Sequence, residues 1–189
     1  AYEAERTEAD WELAEYCGRL ALALMEKHAP TDPHRPDAID QLGTVLLNRR
    51  NTNRVPRLRE AEQLFKTNLE LAPRHNAFHE QKRALLNLGI LNQELARQEP
   101  GRLQQAIDYF DQLEELNERV EPEDRLREQV LTNRGWARVQ LPPDQQPKGC
   151  REAIVDLERA VAMCRLGRHH PSALAHALLH LGIAQEQLT

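Results

Sequence analysis

Apolar residues recur three and four positions apart along most of this chain, which is the spacing of one face of an α-helix. The clearest stretch is residues 84–95, whose apolar face holds Ala84, Leu85, Leu88, Leu91 and Leu95. Prolines, glycines and asparagines interrupt the periodicity at intervals, and these residues end helices. The pattern predicts eight helices, over residues 7–28, 37–50, 57–72, 77–97, 101–118, 123–140, 149–165 and 171–188.

A glycine recurs inside the periodic segments at intervals of 46, 46 and 47 residues, at Gly43, Gly89, Gly135 and Gly182. An alanine follows each of the first three glycines by 17 or 18 residues, at Ala61, Ala106 and Ala153. Two signals that keep one period indicate a repeated unit of two helices. A glycine inside a helix costs roughly 1 kcal/mol relative to alanine. Its recurrence therefore predicts that another helix passes too close for a side chain, with the alanines as matching small contacts.

The period divides residues 1–189 as one helical repeat domain. We expect an N-terminal helix within 1–36, repeats at 37–76, 77–122 and 123–170, and the first helix of an incomplete repeat at 171–189. That last helix would leave apolar residues partly uncovered, namely Leu174, Leu178, Leu181 and Ile183. Since the ends of solenoids normally carry a polar outer face, we expect further repeats or another domain to follow. Self-association through the exposed end helices is the alternative.

The composition supports a helical protein and narrows its partners. Leucine occurs 29 times against 12 for valine and isoleucine together, which excludes an all-β fold because β-branched residues favour strands. The net charge of −5 argues against general binding to nucleic acid or anionic membranes. The apolar run 20–25 is too short to span a bilayer, and the three widely spaced cysteines form no disulfide framework. We therefore expect a cytoplasmic protein without a signal peptide or membrane anchor.

One unit of the repeat resembles the tetratricopeptide repeat (TPR). It has Leu42 and Gly43 in its first helix, then Ala61 and Phe65 in its second, and Pro73 at the end. The likeness covers roughly residues 37–189 and implies an all-α, right-handed α-solenoid of stacked antiparallel helix pairs. The period is longer than the usual 34 residues of this family. It is similar to kinesin-light-chain-type arrays and to the arrays of bacterial sensor proteins that carry a CHAT protease or a signalling ATPase.

The chain departs from the family pattern at Arg134, where a large apolar residue is usual, and at Asn68 and Leu113, where alanine is usual. The resemblance implies a non-catalytic scaffold that binds a protein or peptide in a concave groove. Such a scaffold would be the sensor or interaction arm of a larger signalling or defence protein. The sequence has no nucleophile elbow, phosphate-binding loop or Ser-His-Asp order, so we expect no enzyme activity and no cofactor.

Transferring the groove positions of that family onto this sequence implies a peptide-binding surface of nine residues. They are Gln41, Asn48, Arg83, Leu86, Asn87, Ile90, Asn133, Trp136 and His180. Four polar members share one register, and such a ladder could hydrogen-bond an extended peptide backbone. These four are Gln41, Asn87, Asn133 and His180. The alternatives are that each asparagine fixes a neighbouring helix, and that the apolar members, together with Val139, belong to the core.

Two further clusters offer other chemistry. The run Arg49–Arg59 contains five arginines and no acidic residue, and it suggests an RNA- or phosphate-binding scaffold as the alternative function. No aromatic residue is interleaved in the run, which favours a solvated loop or a contact with an acidic neighbour. Four histidines fall within twelve residues, at His169, His170, His176 and His180. Chance clustering is the favoured interpretation of the histidines, and no metal site is predicted.

Overall fold

The computed structural model describes residues 7–49, 54–71, 78–99, 101–120, 126–167 and 171–188. These residues form eight α-helices and no strand, which confirms the all-α prediction. The helices are Glu8–His28 (α1), Arg35–Asn48 (α2), Arg54–Leu71 (α3), Phe78–Leu95 (α4), Arg102–Val120 (α5), Leu126–Val139 (α6), Gln146–Leu166 (α7) and Pro171–Glu186 (α8). Each corresponds to one of the eight helices predicted from the apolar periodicity.

Seven of the eight helices begin one to three residues from the predicted start. Helices α3 and α7 begin three residues before the positions that the pattern indicates, because Pro56 and Pro147 lie inside their first turns. A proline is tolerated there, since the amide hydrogen it lacks would have no partner within the helix. Helix α1 begins with a capping box, in which the Asp10 carboxylate accepts a hydrogen bond from the Thr7 amide at 2.8 Å.

Contacts group the chain into two compact units, Ala1–Leu91 and Asn92–Thr189, with the boundary inside α4. In the first unit, α2 packs against both α1 and α3. In the second unit, α6 packs against α5, α7 and α8, and α7 also packs against α8. Consecutive helices therefore pack in adjacent pairs, as they do in an α-solenoid.

Two of the recurring glycines lie where another helix leaves no room for a side chain. A Cβ atom added to Gly43 would stand 2.6 Å from Cε1 of Phe65, and one added to Gly135 would stand 2.7 Å from Cγ of Leu157. Phe65 and Leu157 are fully buried. They follow the recurring alanines Ala61 and Ala153 by one helical turn. The close approach predicted from the period is confirmed at these two sites, but the facing group is the large residue rather than the alanine.

Gly182 differs from the other members of the series. A Cβ atom added there would have no atom within 4 Å, and the residue is exposed on α8. The prediction already makes α8 the first helix of an incomplete repeat, without its second helix, so the close approach is not tested at this position.

Arg134, which stands beside Gly135 in place of an apolar residue, is the centre of a buried ion network. Its guanidinium donates to both carboxylate oxygens of Asp156, at 2.6 and 2.8 Å, and to Asp111 at 2.8 Å. Arg138, one turn further along α6, also donates to Asp156. A two-oxygen contact of this kind fixes both the distance and the orientation of the pair. The network joins α5, α6 and α7 and explains how the core tolerates this departure from the apolar pattern.

The glycines supply a matched pair of substitutions for testing this packing. We expect Gly43→Ala to lower the free energy of unfolding by about 1–3 kcal/mol, because the new methyl group overlaps the ring of Phe65. We expect Gly182→Ala to raise it by about 0.5–1 kcal/mol, because alanine favours the helix and nothing obstructs it. Urea unfolding followed by circular dichroism measures both. Equal effects of the two substitutions would contradict the packing described for Gly43.

Candidate functional site

A stack of aromatic rings joins α6 to α8 in the second unit. The rings of Trp136 and His180 lie face to face, with centroids 4.3 Å apart and planes inclined by 13°. His176, one turn before His180 on α8, continues the stack at 6.5 Å and 12°. The structure therefore brings together two of the predicted groove residues, Trp136 and His180, and adds a third ring to them.

A cavity of about 270 Å³ lies beside this stack, between α6 and α8. Its wall is mostly polar and consists of Glu128, Gln129, Thr132, Asn133, Ser172, Ala173 and His176. The Thr132 hydroxyl donates to the Glu128 carboxylate at 3.3 Å. The two amide side chains each carry a donor and an acceptor, which is what a peptide backbone requires of its binding site. The predicted groove residue Asn133 thus lines this cavity.

Asn133 is held in place through its backbone rather than its side chain. Its carbonyl oxygen accepts a hydrogen bond from the Gln93 amide at 2.8 Å. Within the described part of the chain, the side-chain amide of Asn133 has no hydrogen-bond partner. This leaves its donor and acceptor available at the cavity wall.

The electrostatic environment of the stack keeps His180 neutral. Burial lowers the pKa of His180 below the usual 6.5 of histidine, and the neighbouring His176 adds to this shift. The Nδ1 atom of His180 is buried and finds no hydrogen-bond partner among the residues described. A neutral imidazole lying flat on an indole presents an apolar surface at neutral pH.

Cys164 does not provide a reactive group near the cavity. Burial raises the pKa of its thiol, and the negative charge of Glu128 raises it further. The thiol therefore stays protonated at neutral pH, and a protonated thiol is a poor nucleophile and metal ligand.

In the first unit, the predicted groove residues are engaged with each other. The Asn87 amide donates to Asp40 at 3.1 Å, and the Arg83 guanidinium donates to Asp40 and, at 3.4 Å, to Asp37. Asp40 is only 1% exposed, and burial raises the pKa of its carboxyl while Arg83 and Asn87 oppose that shift. Arg83 and Asn87 thus tie α4 to α2, which is the alternative role considered for the asparagines.

The remaining predicted residues fall in three environments. Gln41 and Asn48 are exposed on α2, where the Asn48 amide donates to the Thr44 carbonyl oxygen of its own helix at 3.0 Å. Ile90 is half-buried on α4. Leu86 and Val139 are buried, as the core alternative requires.

Sequence reasoning did not single out Glu128 and Ser172, which complete the cavity. The repeat could have identified Glu128 from its distance to the recurring glycine. It stands seven residues before Gly135, and Lys82 stands seven residues before Gly89; both side chains are buried. A charged residue at the same place in two successive units indicates a position where the helix pairs leave a polar space.

The first arginine of the run, Arg49, contacts several carboxylates. Arg49 donates to Glu15 at 2.7 Å and to Glu12 at 3.2 Å, and it also donates to Glu8. Arg50 lies outside the described residues, and the other three arginines of the run each interact with further groups. For Arg49, the acidic neighbour is helix α1.

Two negative findings concern only the residues described. His169 and His170 of the histidine cluster lie outside these residues, as does Pro73 of the repeat motif. The described residues contain no group of three or more side chains suited to hold a metal ion. Of the eight described helices, none combines the length and apolar character that crossing a membrane demands.

Comparison with models of known protein families found no match, and comparison with curated protein sequences found none either.

The ring stack predicts a pH-dependent fluorescence signal. The chain has two tryptophans, so in a Trp11→Phe variant the emission comes from Trp136 alone. A protonated imidazole quenches an indole on which it stacks. We expect the emission to fall on acidification with a midpoint below pH 6.5, because burial disfavours the charged form of His180. His180→Gln should remove the transition and His34→Gln, at the start of α2, should not. A midpoint at or above pH 6.5 would contradict the described environment.

The same shift has a consequence for stability. As the pH falls below 6.5, the unfolded chain binds the proton at this histidine before the folded chain does. The stability that neutral His180 contributes is therefore complete above pH 6.5 and is lost between that pH and the lower folded-state pKa. Urea unfolding at pH 7.5 and pH 5.5 should show a smaller loss in His180→Gln than in the parent protein.

Proposed function

We propose that this protein is a non-catalytic interaction module that binds an extended peptide segment of a partner between α6 and α8. The single observation that carries the proposal is the polar cavity next to the Trp136–His180 stack. The cavity offers hydrogen-bonding groups to a backbone, and the stack offers an exposed edge of aromatic surface to a side chain. This combination suits a peptide better than a small apolar ligand.

The dimensions of the site favour a short segment. A cavity of about 270 Å³ is at the small end of ligand-binding cavities, which are usually 300–1,000 Å³. Gln129 and Asn133 lie about one turn, or about 6 Å, apart on α6, so their amides can contact alternate peptide groups of an extended chain. Trp136 extends the same face by a further turn, and tryptophan is a frequent anchor at protein interfaces.

We further propose that the chain belongs to the TPR family as a long-period member, acting as the sensor or interaction arm of a larger signalling or defence protein. The support for this is the 46–47-residue period together with the close approaches at Gly43 and Gly135. The RNA- or phosphate-binding alternative gains no support from Arg49, whose guanidinium already binds glutamates of α1.

A peptide-display selection tests the proposed site. Random twelve-residue peptides are selected on the immobilised protein, and the dissociation constant of each selected peptide is then measured by fluorescence polarisation. We expect Asn133→Ala to weaken binding about tenfold, because one or two hydrogen bonds of about 1 kcal/mol each are lost. Trp136→Leu should weaken it by at least as much.

The matched control is Gln63→Ala, which removes an exposed amide from α3 in the first unit. It should change the dissociation constant less than twofold. If no peptide is enriched, or if selected peptides bind Asn133→Ala and Trp136→Leu as tightly as the parent protein, the proposed site is wrong.

A further inference from the structure

Helix α1 has two apolar faces, and only one of them packs against other helices of the described part of the chain. The inner face lies on α2, where a Cβ atom added to Gly18 would stand 3.1 Å from Leu42. The outer face holds four large apolar side chains that are 46–64% exposed, which are Leu13, Tyr16, Leu20 and Leu24. The exposed Cys17 lies among them. Residues at these spacings line one side of a helix.

Ion pairs add to the inner-face contacts that hold α1. No residue of α1 is fully buried. Arg19 binds Glu60 of α3 at 2.8 Å, and Arg49, which follows α2, binds Glu15 of α1 at 2.7 Å. The outer apolar side chains, in contrast, remain 46–64% exposed. A continuous apolar stripe over about three turns that remains in water marks an interaction surface.

The outer face is complementary to itself in the antiparallel direction. When two copies of α1 are placed antiparallel and centred between Gly18 and Arg19, Leu13 of one copy lies opposite Leu24 of the other. In the same alignment Cys17 lies opposite Leu20 of the second copy. Asp10, at the acidic start of the stripe, lies opposite Lys27, at its basic end. A single alignment thus pairs apolar with apolar residues and opposite charges with each other.

We propose that two copies of this chain associate through the outer face of α1 as an antiparallel, two-fold symmetric helix pair. In such a pair the same surface serves both partners, which is the usual form of a homodimer interface. Facing helices that pack through leucines approach to 8–10 Å between their axes. The paired leucines are then covered, and both Asp10–Lys27 contacts lie at the ends of the interface.

Other occupants of this face fit less well. A parallel pair would place Asp10 beside Asp10 and Lys27 beside Lys27. An anionic membrane surface would be repelled, since α1 carries five acidic residues against two of arginine and lysine. Helix α8 also exposes leucines, Leu178 and Leu179, but it has no lysine or arginine to define a direction of pairing.

The cysteines of the chain allow the direction of pairing to be tested. Cys150 and Cys164 are buried, so Cys17→Ser leaves no exposed thiol among the described residues. In that background, Leu13→Cys and Leu24→Cys are made separately, one with a larger affinity tag, and are oxidised alone and as a mixture. An antiparallel pair predicts disulfide-linked heterodimers in the mixture, at least fivefold above the homodimers of either variant alone.

The strength of association is measured on the full chain by sedimentation velocity over a concentration series. We expect a dimer for the parent protein, and at least a tenfold weaker dimer for Leu13→Glu/Leu20→Glu. The control Val155→Glu introduces the same charge at an apolar residue of α7 that is 56% exposed, and it should leave the dimer unchanged. Circular dichroism checks that each variant stays helical.

Three outcomes would overturn the proposal. The parent protein could remain a monomer at every concentration, the double glutamate variant could dimerise as tightly as the parent, or each cysteine variant could cross-link to itself. The first outcome leaves the outer face to another partner, the second moves the interface elsewhere, and the third makes the pair parallel. None of them bears on peptide binding between α6 and α8, which is read from Asn133 and Trp136.

Discussion

The close approach of neighbouring helices at Gly43 and Gly135 is the constraint on which the packing of both units depends. At each site a large buried side chain of the next helix occupies the space that a Cβ atom would take. Helices can pack this closely only where one partner lacks a side chain, and the contact fixes how each is rotated about its axis. Once α6 is fixed against α7 in this way, Gln129 and Asn133 line the cavity between α6 and α8. Trp136 packs against the cluster that contains Leu157 and stacks on His180 of α8. The same glycine that costs helix propensity thus determines which residues form the candidate site.

The number of helices and their apolar faces followed from the sequence, because both depend on local spacing. The environment of each polar residue did not, because it depends on residues far away in the chain. Asn87 and Asn133 hold the same register, yet Asn87 binds Asp40 while the Asn133 amide has no partner among the described groups. One period after Asp40 the sequence has Leu86, whose side chain accepts no hydrogen bond. Comparing each repeat with the one before it would have shown an acceptor for Asn87 and none for Asn133. The register of the asparagines alone does not show this difference. The ring stack of Trp136 and His180 needs the packing of α6 on α8, which periodicity does not contain.

The two units use charge in different ways. In the first unit, α1 is held by ion pairs near the surface, including Arg19 with Glu60, where water and salt weaken each pair. In the second unit, Arg134 and Asp156 lie inside the core, where their attraction is stronger but neither can lose the other without leaving a charge in an apolar environment. One wall of the candidate peptide site, α6, is therefore held by a buried network, and a preorganised wall reduces the entropy lost when a partner binds.

The network around Asp156 also bears on how this sequence can change over generations. Asp156 serves Arg134 and Arg138 at once, and Arg134 serves Asp111 as well. Replacing Arg134 by the apolar residue that the repeat pattern favours would leave the buried Asp156 carboxylate with Arg138 as its remaining partner. Replacing Asp156 first would leave the buried Arg134 guanidinium with Asp111 in place of its two-oxygen contact. Each single step toward the simpler core is therefore worse than the starting point, although the finished double or triple replacement need not be. Once such a charged group lies in the core, it is hard to remove one residue at a time. We therefore expect related sequences either to retain all residues of this network or to lack all of them.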